Sequence, residues 1–171
     1  VRRRTNTARN EHSLAFSPNG RYIAYGLSIG NPKEIAPIAV VDLRTGVETL
    51  VTAGTGVQDE SISWFPDSER ILFIRRGEGF GIFQVRIDGA MDEQFVLLSH
   101  DPALSPDGRH IAHQWGRGRE PEIGIYDVDT GAHTVLPIEL GGINRHPIVP
   151  TWVGPERLLV QDNWVDIHLV D

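Results

Sequence analysis

The feature that most constrains this chain is a short turn motif that recurs along it. The motif stands at residues 104–113 with the sequence Leu-Ser-Pro-Asp-Gly-Arg-His-Ile-Ala-His. Pro presets φ, Asp can hydrogen-bond to its own backbone and Gly accepts a positive φ, so the motif predicts a tight turn between two strands. Further copies stand at residues 16–25 and 64–73, with a degenerate one at 152–160; they start 48, 40 and 48 residues apart, at Phe16, Trp64, Leu104 and Trp152. A repeat of this length indicates an array of one supersecondary unit.

A second marker follows each turn motif, in the form of an apolar stretch that runs into an acidic turn. It stands at residues 38–46, 83–89, 123–131 and 165–171, and a third apolar stretch closes the first three units at 48–52, 94–98 and 133–137. Each unit therefore predicts four short strands, named A to D in chain order. Strands B and C are nearly continuous apolar runs, which is typical of strands covered on both faces.

Four-stranded units at this period predict an all-β fold, a β-propeller of about four blades in a single domain over residues 1–171. One blade cannot bury both of its faces, so the blades must stack on one another. The predicted blades span about 12–54, 60–99, 100–139 and 146–171. Residues 1–8 could supply the strand D that the fourth unit lacks, which would close the ring and remove an exposed edge. Two alternatives stay open: part of a ring of six to eight blades, and two half-rings that form an eight-bladed homodimer.

Two segments of the third unit carry a resemblance to a known family. Residues 101–112, Asp-Pro-Ala-Leu-Ser-Pro-Asp-Gly-Arg-His-Ile-Ala, resemble the WD40-like repeat of TolB-like β-propellers, and residues 125–131 resemble strand C of that repeat. The same repeat builds the propellers of tricorn protease and of the prolyl oligopeptidase and dipeptidyl peptidase IV families. The resemblance implies a multi-bladed ring that serves as a protein-interaction platform, often periplasmic or extracellular, or as a gating domain of a hydrolase. TolB-like rings have more than four blades, so the four units depart from the family pattern.

Composition limits the kinds of partner and site that the chain can have. The net charge of −7 disfavours nucleic acid as a partner, because binding phosphates needs a basic surface. No apolar run approaches the roughly 20 residues of a membrane-spanning helix, so membrane insertion is not expected. The chain has no Cys, which excludes disulfides and thiolate-metal sites. The first ten residues hold neither an initiator Met nor an apolar signal core, as expected of a processed chain or a piece of a longer one.

The motifs of common enzymes are missing from the sequence. There is no Gly-x-Ser-x-Gly elbow and no room for an α/β-hydrolase domain after the blades, so nucleophilic catalysis within this chain is not expected. The Gly-rich residues 76–81 match no phosphate-binding loop and predict a B–C hairpin. Residues 127–131, Asp-Val-Asp-Thr-Gly, lack the further ligands of a calcium loop and predict a C–D turn. No cofactor is expected, with the exception of a metal ion at the site considered next.

One set of polar residues recurs at the start of strand A. His12, Glu60 and His100 each stand four residues before the first residue of a turn motif, and His146 stands six before Trp152. Strand A is the innermost strand of a propeller blade, so these side chains could meet at the mouth of the central channel. Three imidazoles and a carboxylate suit a divalent transition metal on the propeller axis. The alternative is that they are solvated entrance residues.

Aromatic and basic residues supply a second candidate surface. Trp64 and Trp152 recur at one blade position and are predicted to pack between blades. Trp115 and Trp164 fall near B–C hairpins, with Arg117 and Arg119 beside the first, and could contact a partner. The predicted function is a non-enzymatic scaffold that binds a protein or peptide through its channel mouth and loops. The alternatives are a propeller domain or fragment of a larger serine peptidase, and a metal-dependent carbohydrate-binding or lyase-like propeller, as the related oligogalacturonate-lyase propellers imply.

Overall fold

The structure is a computed structural model that describes residues 10–28, 37–52, 58–77, 79–90, 93–97, 99–115, 122–137, 150–162 and 166–170. All regular structure within these ranges is β-strand, in agreement with the predicted all-β fold. None of the described residues forms a helix long and apolar enough to cross a membrane.

The strands form four antiparallel sheets, and each sheet corresponds to one sequence unit. The first sheet contains β1 (Asn10–Phe16), β2 (Tyr22–Ser28), β3 (Ile38–Asp42) and β4 (Glu48–Leu50). The second contains β5 (Gln58–Trp64), β6 (Arg70–Arg76), β7 (Gly81–Arg86) and β8 (Glu93–Leu97). The third contains β9 (His100–Leu104), β10 (His110–Trp115), β11 (Glu122–Asp127) and β12 (His133–Val135). The fourth contains β13 (Pro150–Trp152), β14 (Leu158–Asp162) and β15 (Asp166–Val170).

The order of strands within each sheet confirms the predicted A-B-C-D meander. Each turn motif joins strand A to strand B, and each acidic turn that the structure describes joins strand C to strand D. The burial of strands B and C is also as predicted, since four consecutive residues of β6 and the first four of β3 are buried. The fourth sheet has three strands among the described residues, which correspond to strands A, B and C of the fourth unit. Residues 1–8 lie outside the described residues, and ring closure stays a prediction.

The chain divides into two compact units, each of which is described by itself. Unit 1 comprises residues 1–79 and 83–93, and unit 2 comprises 80–82 and 94–171. The core of unit 1 forms around Val40, Phe73 and Phe83, together with Trp64, whose side chain is 7% exposed. Burying an aromatic side chain of this kind stabilises the fold by about 1.5–3 kcal/mol.

A tryptophan joins the two blades inside each unit. In unit 1 the indole Nε1 of Trp64 donates to the backbone oxygen of Ala15 over 3.1 Å, and its ring stacks on Tyr22. In unit 2 Nε1 of Trp152 donates to the backbone oxygen of Ala103 over 2.8 Å. These two contacts are named the tryptophan links. They confirm the predicted packing of both tryptophans between blades, although Trp152 is only half-buried.

Candidate functional site

Each sheet has two ends with different chemistry. Because the strands run antiparallel, the start of strand A and the B–C connection share one end, here called the loop end. The pairing of strands A and B shows this, because the first residue of strand A pairs with the last residue of strand B. These pairs are Asn10 with Ser28 and Gln58 with Arg76. The A–B and C–D turns share the other end, here called the turn end. Of the eight candidate residues, the four that the structure describes, His12, Glu60, His100 and Trp115, lie at or near the loop end of their own blades.

The turn end uses its polar groups within its own turns. In the first blade the hydroxyl of Ser17 donates to Asn19 Oδ1 over 2.8 Å, and in the third blade that of Ser105 donates to Asp107 Oδ1 over 2.6 Å. Asp127 Oδ1 accepts from the backbone amides of residues 129 and 130, which confirms the predicted C–D turn. These motifs therefore specify the fold and leave little chemistry for a ligand.

A groove at the turn end of unit 1 is lined by two carboxylates that already have hydrogen-bond partners. It encloses about 410 Å³ and is lined by Tyr22, Val40, Asp42, Thr45, Val47, Thr49, Ile87 and Asp88. The hydrogen bond from Arg21 is the main cause that lowers the pKa of Asp42 to about 2, and the carboxylate also accepts from two turn amides. Asp88 accepts from the amide of Ala90 and lies 3.3 Å from Nε of Arg86. Both carboxylates are thus already engaged.

The loop end carries a backbone feature that the sequence did not reveal. Ser13, Ser61 and Asp101 adopt positive φ values of 53°, 55° and 49°. They occupy equivalent positions in the first three blades, and in each case the strand A–B register shifts at a bulge there. A non-Gly residue in the left-handed region costs roughly 1–3 kcal/mol, and such strain clusters at functional sites. Each of the three directly follows a candidate residue, namely His12, Glu60 or His100.

The structure shows the surroundings of two of the four proposed metal ligands. The ring of His12 lies against Gly26, where an added Cβ would come within 2.4 Å of the ring, and Nδ1 is 3.3 Å from the Ser13 hydroxyl. The carboxylate of Glu60 accepts a hydrogen bond from Nε of Arg76. These contacts place both residues at the loop end of unit 1.

The other two proposed metal ligands are His100 and His146. His100 begins β9 and pairs with Gln114, a position equivalent to that of Glu60 opposite Ile74. His146 lies outside the described residues. No three His, Asp or Glu side chains within the described ranges come together as a metal site. The metal site on the axis, and the carbohydrate-related function that depends on it, stay predictions.

The proposed partner-binding residues fall in two B–C connections. Trp115 ends β10 and pairs with Glu122, the first residue of β11. Arg117 and Arg119 follow in the same connection and lie outside the described residues, as does Trp164 between β14 and β15. Their role in binding stays a prediction.

A buried ion pair at the loop end of unit 1 was missed in the sequence analysis. Asp59 is fully buried, and both of its carboxylate oxygens accept from Arg75, over 2.9 and 3.1 Å. The guanidinium also lies 4.7 Å from the ring centre of Phe83. Bidentate pairing and stacking of this kind orient an arginine firmly. The alignment of the predicted strands, which sets Asp59 opposite Arg75, was the signal that could have revealed it.

A second missed group lies in unit 2 and consists of two imidazoles and a hydroxyl. Nε2 of His113 lies 3.1 Å from Nε2 of His133, and Nδ1 of His113 lies 2.6 Å from the Ser99 hydroxyl. His113 and Ser99 are fully buried, whereas His133 is exposed on strand D. Burial, and then the charge of the neighbouring His133, lower the pKa of His113 to about 4. Burial also lowers the pKa of His133. Both shifts favour the neutral form of the rings.

Comparison with known proteins agrees with the blade topology. No family model and no curated protein sequence matches the chain. Among solved structures, TolB from Acinetobacter baumannii is similar with a TM-score of 0.71 and 20% identity, over 97% of this chain and 41% of that one. A Mycobacterium tuberculosis puromycin-hydrolyzing peptidase is similar with a TM-score of 0.73 and 18% identity, over 98% of this chain and 29% of that one.

A third similar structure is an isolated propeller domain. The β-propeller domain of the Trilobed protease from Pyrococcus furiosus, described as having an open velcro topology, matches with a TM-score of 0.69 and 13% identity, over 95% of this chain and 55% of that one. At these identities the similarity concerns the fold. The chain spans less than two thirds of the length of each of these three proteins. Its four-stranded sheets and these similarities together show that the chain has the fold of a TolB-like β-propeller.

Proposed function

We propose that this chain is a binding scaffold whose loop end engages a protein or peptide partner. The observation that supports this most is the recurrence of strained backbone at Ser13, Ser61 and Asp101. Three blades have the same unfavourable conformation at the same position, next to polar residues. Binding residues are commonly placed in this way, on irregular segments held by a rigid sheet.

The contrast between the two ends of each sheet supports the same proposal. At the turn end, the hydroxyls of Ser17 and Ser105 and the carboxylate of Asp127 are bonded to their own turns. At the loop end of the second blade, Glu60 and Arg76 form an exposed ion pair, which contributes little to folding and can be exchanged for contacts to a partner, and Glu69 and Arg86 form its counterpart at the turn end. The buried pair of Asp59 and Arg75 lies directly beneath the loop-end pair in the same strands and holds that surface in place.

The second blade offers a matched pair of variants for the test. Glu60→Ala with Arg76→Ala removes an exposed ion pair at the loop end. Glu69→Ala with Arg86→Ala removes an exposed ion pair at the turn end, where the side chains approach to 3.5 Å. Peptides selected from a random display library on the immobilised chain serve as the probe, and isothermal titration calorimetry measures their affinity. We expect the loop-end variant to bind the selected peptides roughly tenfold more weakly and the turn-end variant to bind as wild type does.

Three outcomes contradict the scaffold proposal. The first is that no peptide is enriched over an unrelated immobilised protein of similar charge. The second is that the turn-end variant alone loses affinity. The third is that both variants bind with unchanged affinity.

A second function is a propeller segment of a larger peptidase. This function is favoured by two similar structures. The puromycin-hydrolyzing peptidase matches over 98% of this chain and 29% of its own length, and a prolyl endopeptidase matches over 95% of this chain and 27% of its own length. A fluorophosphonate probe applied to the full-length gene product tests this. Labelling of a serine outside the present 171 residues supports the peptidase, and the absence of labelling in a folded full-length product contradicts it.

A further inference from the structure

The hydrogen bonds around His113 determine where its proton lies. The hydroxyl of Ser99 donates its single hydrogen to the backbone oxygen of Gln114, over 3.0 Å. The hydroxyl oxygen can then only accept from Nδ1–H of His113, so that Nε2 of His113 carries a lone pair. That lone pair points towards Nε2 of His133, 3.1 Å away. We assign His113 to the Nδ1–H tautomer on this basis.

This arrangement is the one that a metal-binding imidazole needs. A histidine ligand of a metal ion usually donates its other ring N–H to a fixed acceptor, which sets the tautomer and holds the ring. Ser99 supplies that acceptor and is itself fully buried. Gly124 beneath the rings leaves the space they occupy, since an added Cβ would lie 2.5 Å from His133 Nε2 and 2.8 Å from His113 Nε2.

The distance between the two nitrogens also fits a shared metal ion. Two metal–nitrogen bonds of about 2.05 Å place their nitrogens about 2.9 Å apart at a right angle and about 3.3 Å apart at a tetrahedral angle. The observed 3.1 Å lies between these values. His133 is exposed on strand D, so an ion can reach the pair from solvent.

We propose that His113 and His133 form a binding site for a divalent transition metal ion, held through both Nε2 atoms. Both imidazoles stay neutral when the ion binds, because His133 moves its proton from Nε2 to Nδ1 and its Nε2 lone pair joins that of His113. Imidazole nitrogens select Zn²⁺, Cu²⁺ and Ni²⁺ over Mg²⁺ and Ca²⁺, which prefer oxygen. With these two ligands from the described part of the chain, further positions of the ion can be taken by water or by a donor atom of a bound molecule.

The equivalent place in unit 1 shows that the fold does not require two imidazoles here. There the hydroxyl of Tyr25 donates to Glu48 Oε2 over 2.5 Å, from the same position of strand B to the same position of strand D. The paired replacement of His113→Tyr with His133→Glu therefore recreates an arrangement that this chain already uses. It provides a variant that keeps a hydrogen bond between these strands and removes both imidazoles.

The test uses the untagged chain with ZnCl2 at pH 7.5 in isothermal titration calorimetry. Electron paramagnetic resonance of the Cu²⁺ complex counts the bound nitrogens. We expect one Zn²⁺ per chain, two imidazole nitrogens on Cu²⁺, and loss of binding in His133→Gln and in the paired Tyr and Glu variant. Ser99→Ala should weaken Zn²⁺ binding about 10- to 100-fold, since it removes the acceptor that orients His113.

His12→Gln is the matched control, because it removes an imidazole of unit 1. We expect it to bind Zn²⁺ as wild type does. If His12→Gln loses the ion while His133→Gln keeps it, the site belongs to the predicted set around His12 and the present proposal is wrong. Absence of Zn²⁺ binding to the folded wild-type chain at millimolar concentration would overturn it as well.

Discussion

Units 1 and 2 build the same pair of blades with different chemistry at one place. In both units a tryptophan of the second blade donates to a backbone oxygen of the first. In both, a side chain of strand B reaches across strand C to one of strand D. This contact is Tyr25 to Glu48 over Ala39 in unit 1, and His113 to His133 over Gly124 in unit 2. The comparison separates what the first and third blades share, a polar contact from B to D, from what the described part of unit 2 has in its place, two facing imidazoles.

The largest expected effect concerns the tryptophan links. Trp64→Ala should lower the free energy of unfolding by about 3–5 kcal/mol, because it leaves a cavity in a buried core. Trp152→Ala should cost less, about 2 kcal/mol, because Trp152 is half-buried. Urea unfolding measures both. Leu14→Ala, at a side chain that is 59% exposed, is the control and should change stability by less than about 0.5 kcal/mol. An equal loss in free energy of unfolding for the two variants would show that burial does not determine how much each tryptophan link stabilises the protein.

The second prediction is that acid destabilises the protein through His113 of unit 2. Burial holds the pKa of His113 at about 4, below the ordinary 6.5. As the pH falls below 6.5, His113 is protonated in the unfolded chain but stays neutral in the native state. The free energy of unfolding therefore decreases until His113 is also protonated in the native state, at about pH 4, and this contribution does not change at lower pH. We expect a loss of about 1–3 kcal/mol over this window, measured by chemical unfolding at each pH. The same loss in the variant with His113→Tyr and His133→Glu would assign the acid sensitivity to other groups.

The third prediction concerns the residue beneath the imidazoles. Gly124→Ala should destabilise the protein by about 1–2 kcal/mol, since the added Cβ meets both rings. In the background of His113→Tyr with His133→Glu, the same change should cost less than about 0.5 kcal/mol, because Ala39 already occupies the equivalent place in unit 1. Thermal unfolding monitored by circular dichroism is sufficient. A cost that is the same in both backgrounds contradicts the tight contact.

The smallest effect is expected at the strained bulges. Ser61→Gly should raise the free energy of unfolding by at most about 1 kcal/mol, because Gly adopts a positive φ without strain but loses more entropy on folding. Ser13→Gly is the equivalent change in the first blade. If these positions serve binding, both variants should bind the selected peptides more weakly despite equal or greater stability. Because glycine keeps the conformation of the bulge, unchanged affinity would mean that the serine side chains have no role in recognition.

The architecture could be predicted from the sequence because its signals are local. Turn residues such as Pro106 and Gly108 act through their own backbone, and their repetition places every strand within a few residues of where it lies. The bulges could not be predicted, because nothing distinguishes Ser13 or Ser61 from a serine in a regular strand. The strain depends on how strands A and B pair.

The imidazole pair escaped prediction for a different reason. His113 and His133 are 20 residues apart on strands B and D, and they meet only because strand C between them has Gly124 at the crossing point. Alignment of the first and third units contains the signal, since His113 replaces Tyr25 and His133 replaces Glu48. Two exchanges at positions that face each other indicate a contact more strongly than either residue alone.

The tryptophan links have a consequence for how such a chain can diversify. Their acceptor is a backbone oxygen, which every residue type supplies, so the hydrogen bond itself requires no particular side chain on the blade that accepts it. A duplicated or transplanted blade with tryptophan at this position can make the same hydrogen bond to the blade that precedes it. Gene duplication and recombination can therefore alter the number and order of blades while this hydrogen bond is kept.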